Sequence, residues 1–240
     1  MYLFIFMRTD IVNFKKNLSV IILAGGKGQR LKPLTKNIPK PLIKLEGKSI
    51  IEHIIFFLTK SNLKNIIIAG GYKFKSFLNL KNNIGQNIKI INTGLNTTII
   101  NRIKKCLPLC NDYILICYGD TIANVKINSI IKKFFNSGLK TVISSYEMVS
   151  SFGVVKSDKS DVVYNFKEKP SLDIWYNIGY ILFEKKVFLE NKNLSFEKIL
   201  SKLAKNKELV NHKHKGKHIT VNTLTELEKA KIEIKNIKKK

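Results

Sequence analysis

Arginine is nearly absent from this sequence. Of its 43 basic residues, Arg8, Arg30 and Arg102 are arginines and the rest are lysines. Dedicated nucleic-acid surfaces favour guanidinium forks and interleaved aromatic rings. The formal net charge of +26 is therefore not expected to mark a specific nucleic-acid partner. The lysines run along the whole chain among many Asn and Ile residues, which is the pattern of a compositional drift. Their field still attracts anionic substrates and raises their encounter rate.

Cysteine is scarce as well. Cys106, Cys110 and Cys117 show no paired metal-ligand spacing, and buried, reduced thiols in a cytoplasmic setting are expected. Pro108 interrupts any helix that would put the first two on one face. No apolar run reaches the roughly 18–20 residues that cross a bilayer. The apolar start Met1–Met7 has neither a basic leader nor a small-residue cleavage site, so no secretory signal is expected. That start reads as an unstructured extension, or as a start placed early with Met7 the true one, and residues 1–17 as an N-terminal extension of the domain. Of the four histidines His53, His212, His214 and His218, the last three fall close together. No cysteine or carboxylate stands beside them, and they are not expected to hold a metal.

What the sequence does carry is rhythm. Its 240 residues, 44% hydrophobic and 25% charged, suit one large domain with a substantial core. Short apolar runs at Ser19–Ala24, Asn65–Ala69, Asn87–Asn92 and Tyr113–Cys117 read as buried strands. Helical spacing separates them at Ser49–Lys60, Lys73–Lys81, Thr98–Leu107 and Asn128–Phe135, the first opened by a capping box of Ser49 with Glu52. This alternation predicts an α/β fold: a Rossmann-like, doubly wound, mostly parallel sheet flanked by helices. After Leu139 the rhythm changes. Thr141–Val149, Gly153–Ser157, Asp161–Lys167 and Trp175–Phe183 read as successive strands. Phe196–Lys205 and Thr223–Asn236 read as helices, the latter with a capping box of Thr223 and Glu226, and the final lysines as a frayed tail. No linker divides the chain, which gives a single domain over 18–236.

The densest signal is Leu23-Ala24-Gly25-Gly26-Lys27-Gly28-Gln29-Arg30-Leu31, followed by Pro33-Leu34-Thr35 and Pro39-Lys40-Pro41-Leu42. A glycine loop directly after the first strand lets backbone N–H groups approach a phosphate or a base. Arg30 and Lys40 can then neutralise phosphate charge. Both lie among glycines and prolines, away from any apolar helix face, and are expected to act on the reaction rather than on folding. Asp120 follows the fourth predicted strand. Open α/β sheets hold their ligands there, outside the carboxyl ends of strands.

Together these motifs resemble the signature of the nucleoside-diphosphate-sugar pyrophosphorylases, the sugar-1-phosphate nucleotidyltransferases, from about Ser19 to Ala230. Within that family the chain looks most like the glucose-1-phosphate cytidylyltransferases. The stretches that carry this are Asn92-Thr93-Gly94-Leu95-Asn96-Thr97, Asn101-Arg102-Ile103-Lys104, Tyr118-Gly119-Asp120, Phe152-Gly153-Val154 and His214-Lys215-Gly216. The resemblance implies a fold of the nucleotide-diphospho-sugar transferase type. It would have a nucleotide-binding half (18–139), a β-rich sugar-binding half (140–222) and a closing helix (223–236). It implies transfer of a nucleotidyl group from a nucleoside triphosphate, CTP favoured, to a sugar 1-phosphate, glucose 1-phosphate favoured, with release of pyrophosphate. It assigns the nucleotide to Leu23, Ala24, Gly25, Gly26, Gly28, Gln29, Arg30, Lys40, Gly94, Thr97 and Gly119. The sugar phosphate goes to Gly153, Glu168, Lys169, Asn177 and Gly179, with Glu168 on sugar hydroxyls and Lys169 on the phosphate. Arg30, Lys40 and Lys169 would be catalytic, and Asp120 with Asn222 would hold Mg²⁺, a cation suited to oxygen donors. A cytoplasmic enzyme is expected, with no membrane span and with a homo-oligomer left open.

The pattern breaks in several places. The family's second metal aspartate is Asn222, whose neutral amide attracts a cation less. The paired glycines after the Thr-Gly loop are Ile99 and Ile100, β-branched residues expected to fill space near the base and sugar. The loop opens on Asn92 in place of an aspartate, Lys217-His218 replaces an aromatic pair, and Ile178 replaces the middle glycine of an Asn-Gly-Gly stretch. These changes motivate a second reading, a family member that binds nucleotide or sugar phosphate without turnover.

Overall fold

The computed structural model describes residues 10–82, 85 and 88–237. Met1–Met7, Asn87 and Lys238–Lys240 lie outside the described residues. Strand β1 (Leu18–Ala24) carries no charged side chain and is buried on both faces, which suits the middle of a covered sheet. Strands β4 (Asn65–Gly70) and β6 (Tyr113–Tyr118) flank it in parallel, with Val20 opposite both Ile66 and Leu115. Strand β5 (Ile88–Asn92) extends the sheet beyond β4. On the other side β11 (Ser171–Glu184) runs antiparallel to both β6 and β8 (Thr141–Val149), and β12 (Leu209–Lys213) pairs in parallel with β8. The order is β12-β8-β11-β6-β1-β4-β5. One antiparallel strand in a seven-stranded sheet gives the mixed, mostly parallel architecture that the sequence predicts.

Three two-stranded pieces complete the strands. They are β2 (Lys44–Leu45) with β3 (Lys48–Ser49), β7 (Thr121–Ala123) with β13 (His218–Thr220), and the hairpin of β9 (Val154–Ser157) and β10 (Val163–Lys167). Helices α2 (Ile50–Lys60), α5 (Ile127–Ser137) and α8 (Leu224–Ile237) cover one face of the sheet, and α4 (Ile99–Cys106), α6 (Lys186–Glu190) and α7 (Phe196–Lys205) the other. Alternation along β1 sends Val20 and Ile22 into the first layer and Ile21 into the second.

Several expectations need adjustment. The helix expected over Lys73–Lys81 is a short α3 (Lys75–Leu78) followed by a 3₁₀ turn, Asn79–Asn82. The Ser49–Glu52 capping box forms with both halves. Its counterpart at α8 is shifted by one residue. Thr223 Oγ1 accepts from the Glu226 N–H at 3.2 Å, but the Glu226 carboxylate accepts from the N–H of Asn222, at 2.6 Å. Within the segment read as an N-terminal extension, residues 10–16 form a helix, α1. Ile11 and Phe14 are spaced to share one helix face and are buried in the main core, with the Phe14 ring 4.2 Å from that of Tyr113. Two such side chains stabilise by about 1.5–3 kcal/mol each. All three cysteines are buried free thiols. Burial pushes Cys106 up to about 12 and Cys110 to about 11, so neither is a ready nucleophile. Among the described residues no helix is long and apolar enough to cross a membrane.

Candidate active site

The chain leaves β1 toward β4 and β5, then returns to place β6 on the other side of β1. That reversal opens a crevice at the carboxyl ends of β1 and β6, where α/β sheets bind their ligands. A cavity of about 850 Å³ lies there. The glycine loop 23–30 and Lys40 form one wall, residues 95–99 and Arg102 a second, and Tyr118, Gly119, Asp120 and Asn222 the floor. Of the residues expected to bind nucleotide, Leu23, Ala24, Gly25, Gly26, Gly28, Gln29, Arg30, Lys40, Thr97 and Gly119 line this cavity. Gly94 does not; its carbonyl faces backward and accepts from Arg102 at 2.8 Å.

Lys40 joins the two ends of the floor. Its Nζ donates to Asp120 Oδ2 at 2.6 Å and to Asn222 Oδ1 at 2.9 Å. Arg30 Nη2 also donates to Asn222 Oδ1, at 3.2 Å. The Lys40 side chain is 10% exposed and that of Asp120 35%. A lysine this buried, bridging β6 and the segment before α8, holds the fold together as well. Lys40 is therefore tied into the fold, which its place among prolines did not suggest, whereas Arg30 stands on an exposed 3₁₀ turn. Asp120 and Asn222 converge on one cationic group, the ammonium of Lys40. Two oxygen donors facing one cation match the donor set that Mg²⁺ takes when phosphates supply the remaining ligands.

Arg102 is the residue whose role sequence reasoning missed. It leaves α4, is 6% exposed, and lies behind the glycine loop. Its Nη1 donates to Thr93 Oγ1 at 2.5 Å and to Gly94 O, and its Nη2 to Gly25 O at 3.0 Å and Leu95 O at 3.2 Å. Thr93 in turn donates to Gly70 O at 2.5 Å. One planar fork thus ties the loops that follow β1 and β5 to each other and, through Thr93, to the end of β4. Among the described residues no carboxylate pairs with it, and burial lowers its pKa. A Cβ on Gly25 would stand 2.0 Å from Arg102 Nη1. A side chain at that position would displace the guanidinium and the hydrogen bonds it makes to Gly25, Thr93, Gly94 and Leu95.

The two isoleucines that replace glycines part company. Ile99 lines the cavity, as expected. Ile100 does not: it is buried in the second core layer with Ile21 and Ile67. Ile178 likewise turns into the core, 2% exposed.

None of the five expected sugar-phosphate residues lines the cavity. Asn177 and Gly179 lie next to it, across Tyr118. Asn177 donates to the Tyr118 hydroxyl at 3.3 Å and accepts from Gly179 N at 2.8 Å. Burial raises the Tyr118 pKa, so its hydroxyl stays protonated. Gly153, Glu168 and Lys169 belong to the β9–β10 hairpin. Glu168 and Lys169 are well exposed and 3.8 Å apart. Of the histidines, His214 Nε2 bonds the Lys217 carbonyl at 3.1 Å, and His218 lies between the rings of Tyr146 and Tyr176.

Residues 19–228 match the family model described as Nucleotidyl transferase. A protein of Bacillus subtilis assigned as a glucose-1-phosphate cytidylyltransferase is 28% identical over 238 residues, covering 88% of this chain and 93% of its own. The D-glycero-α-D-manno-heptose 1-phosphate guanylyltransferase of Campylobacter jejuni is 28% identical over 195 residues, covering 76% of this chain and 85% of its own. A solved Bacillus anthracis structure, assigned as a glucose-1-phosphate thymidylyltransferase in complex with a sucrose, shares the fold. Its TM-score is 0.71 at 23% identity, over 90% of this chain and 94% of that one. With a family model spanning nearly all of the described fold, from β1 into α8, the chain belongs to the nucleotidyl transferase family.

Proposed function

We propose that this protein transfers a nucleotidyl group from a nucleoside triphosphate to a sugar 1-phosphate and releases pyrophosphate, with CTP and glucose 1-phosphate the favoured pair. The product would feed nucleotide-sugar and surface-polysaccharide synthesis in the cytoplasm. The observation that carries this is the single cavity in which a glycine loop, Arg30, Lys40 and Asp120 face one another. The preference for cytosine and glucose is supported by the Asn92–Thr97 loop and by the likeness to the Bacillus subtilis relative.

In this reaction a phosphate oxygen of the sugar 1-phosphate attacks the α-phosphorus. The bond from that phosphorus to the bridging oxygen breaks, and pyrophosphate leaves. No covalent enzyme intermediate is needed, so catalysis is alignment and charge neutralisation. Arg30 and Lys40 neutralise the charge that grows on the leaving pyrophosphate. Arg102 fixes the loops that hold the nucleotide. Glu168 and Lys169 deliver the sugar phosphate from the hairpin, past Tyr118 and Asn177. Asp120 and Asn222 would hold Mg²⁺, which when bound neutralises phosphate charge. Ile99 on the cavity wall and the missing charge at Asn222 favour the second reading, binding without turnover. A pyrophosphate-release screen of CTP, UTP, GTP and dTTP against several sugar 1-phosphates separates the two. The pair CTP with glucose 1-phosphate is expected to give the highest kcat/KM. Nucleotide binding without pyrophosphate release from any pair would favour the second reading.

A further inference from the structure

Tyr118 ends β6 and lines the nucleotide cavity two residues before Asp120. The hydrogen bonds behind it fix which way its hydroxyl works. The N–H of Gly179 can only donate, and it donates to Asn177 Oδ1 at 2.8 Å. That sets the Asn177 amide with Nδ2 toward Tyr118, donating to the phenol oxygen at 3.3 Å. On that side the hydroxyl is therefore an acceptor, and its own O–H is left over. Among the described residues no acceptor receives it. Burial first, then the charges of Glu197 and Asp120, raise the phenol's pKa against a lowering by the Asn177 hydrogen bond. The O–H stays intact as a donor. The ring is fixed as well. Gly179 has a φ of 76°, and a Cβ there would stand 2.3 Å from Tyr118 Cγ. The phenol ring thus lies against a bare backbone. The neighbours of this unspent donor indicate its ligand. The glycine loop and residues 95–99 form the cavity's other walls, whereas Tyr118 joins the floor to Asn177 and Gly179 of β11, which lie outside it. A donor at that edge meets the molecule that enters beside the nucleotide.

We propose that the Tyr118 hydroxyl donates a hydrogen bond to an oxygen of the sugar 1-phosphate, and that Asn177 and Gly179 are positioning residues that act on this substrate through Tyr118. This rests on the activity proposed above and adds to it a group that seats the acceptor. Tyr118→Phe removes one hydroxyl and keeps the ring against Gly179. Wild type and variant are titrated at equilibrium with CTP and with the sugar 1-phosphate preferred in the pyrophosphate-release screen, glucose 1-phosphate being expected. Initial rates are measured beside them. The Kd and KM for the sugar phosphate should rise about 10-fold, the scale of one hydrogen bond to a charged group. The Kd for CTP and the melting temperature should hold. Asn177→Leu should raise the same sugar-phosphate constants several-fold in the wild type and not at all in the Tyr118→Phe background. A Tyr118→Phe variant that binds the sugar phosphate as tightly as wild type, or that loses CTP instead, would overturn the proposal and leave the activity standing. So would losses from Asn177→Leu and Tyr118→Phe that add, because Asn177 would then meet the sugar directly. A wild type that neither binds nor turns over any sugar 1-phosphate of the screen would overturn the proposed activity, and this inference with it.

Discussion

Lys40 holds two oxygens at once, and that decides what its removal does. Lys40→Met leaves Asp120 partly buried without its cation and Asn222 with Arg30 alone. Loss of such a partner costs about 1–3 kcal/mol, so the melting temperature should fall by several degrees while turnover falls by on the order of 10²-fold or more. Arg30→Ala should match that loss of turnover with the melting temperature almost unchanged, because Arg30 is exposed. Calorimetry beside kinetics separates the two, and an undisturbed melt for Lys40→Met would contradict the bridging role. Asn222→Asp adds a negative charge beside Lys40 and Arg30. It should raise the melting temperature and lower the Mg²⁺ concentration for half-maximal activity. An unchanged Mg²⁺ titration would remove Asn222 from the metal.

At the scale of elements, Arg102 and His218 show how much can be read from a sequence and where reading stops. The central strands, the helices flanking them and the glycine loop were legible because burial imposes periodicity and tight turns require glycine; the edge strand β12, the short pair β7 and β13, and α1 were not, because short or half-exposed elements carry little periodicity. The α8 capping box was half legible: Ser, Thr and Glu mark a helix start, but spacing does not say which N–H the carboxylate reaches. Arg102 was visible as a motif and not as a staple, since its partners are the Thr93 hydroxyl and backbone carbonyls of two loops far apart in sequence. One signal was available. In a chain that uses lysine almost everywhere, an arginine points to a site that needs a planar fork. Arg102→Lys cannot bond both loops at once. It should cost about 3 kcal/mol of stability and weaken nucleotide binding, measured by denaturation and by titration with CTP. A variant that binds as tightly as wild type would refute the staple. At β13, burial holds His218 down to about 4, whereas the unfolded chain protonates near about 6.5. The unfolded state therefore binds more protons between those values, and stability falls as pH drops from about 6.5 toward 4. Burial also lowers His212 and His214, so the effect is shared. His218→Phe, which fits between Tyr146 and Tyr176, should flatten the melting temperature's fall from pH 7 to pH 5. An equally steep profile would place the acid sensitivity elsewhere.

The whole molecule divides its labour between a rigid sheet and a separate hairpin. The nucleotide cavity sits at the switch point of a sheet buried on both faces, where β1 and β6 cannot move independently. The residues expected to bind sugar phosphate were legible as motifs, but their place outside the cavity was not. The β9–β10 hairpin carries three of them, on a two-stranded sheet apart from the one that frames the cavity, a placement that periodicity does not encode. The lysine-rich surface gathers anions for the cavity without choosing among them. On the proposed function, selection falls to the cavity walls and turnover to Arg30, Lys40 and Asp120. The most direct measurement is product analysis by mass spectrometry after mixing the protein with Mg²⁺, CTP and glucose 1-phosphate, beside Asp120→Asn. Equal amounts of nucleotide-sugar and pyrophosphate, requiring both substrates and nearly lost in Asp120→Asn, are the predicted result. No nucleotide-sugar from this or any other nucleotide and sugar-phosphate pair, or undiminished product from Asp120→Asn, would contradict the account.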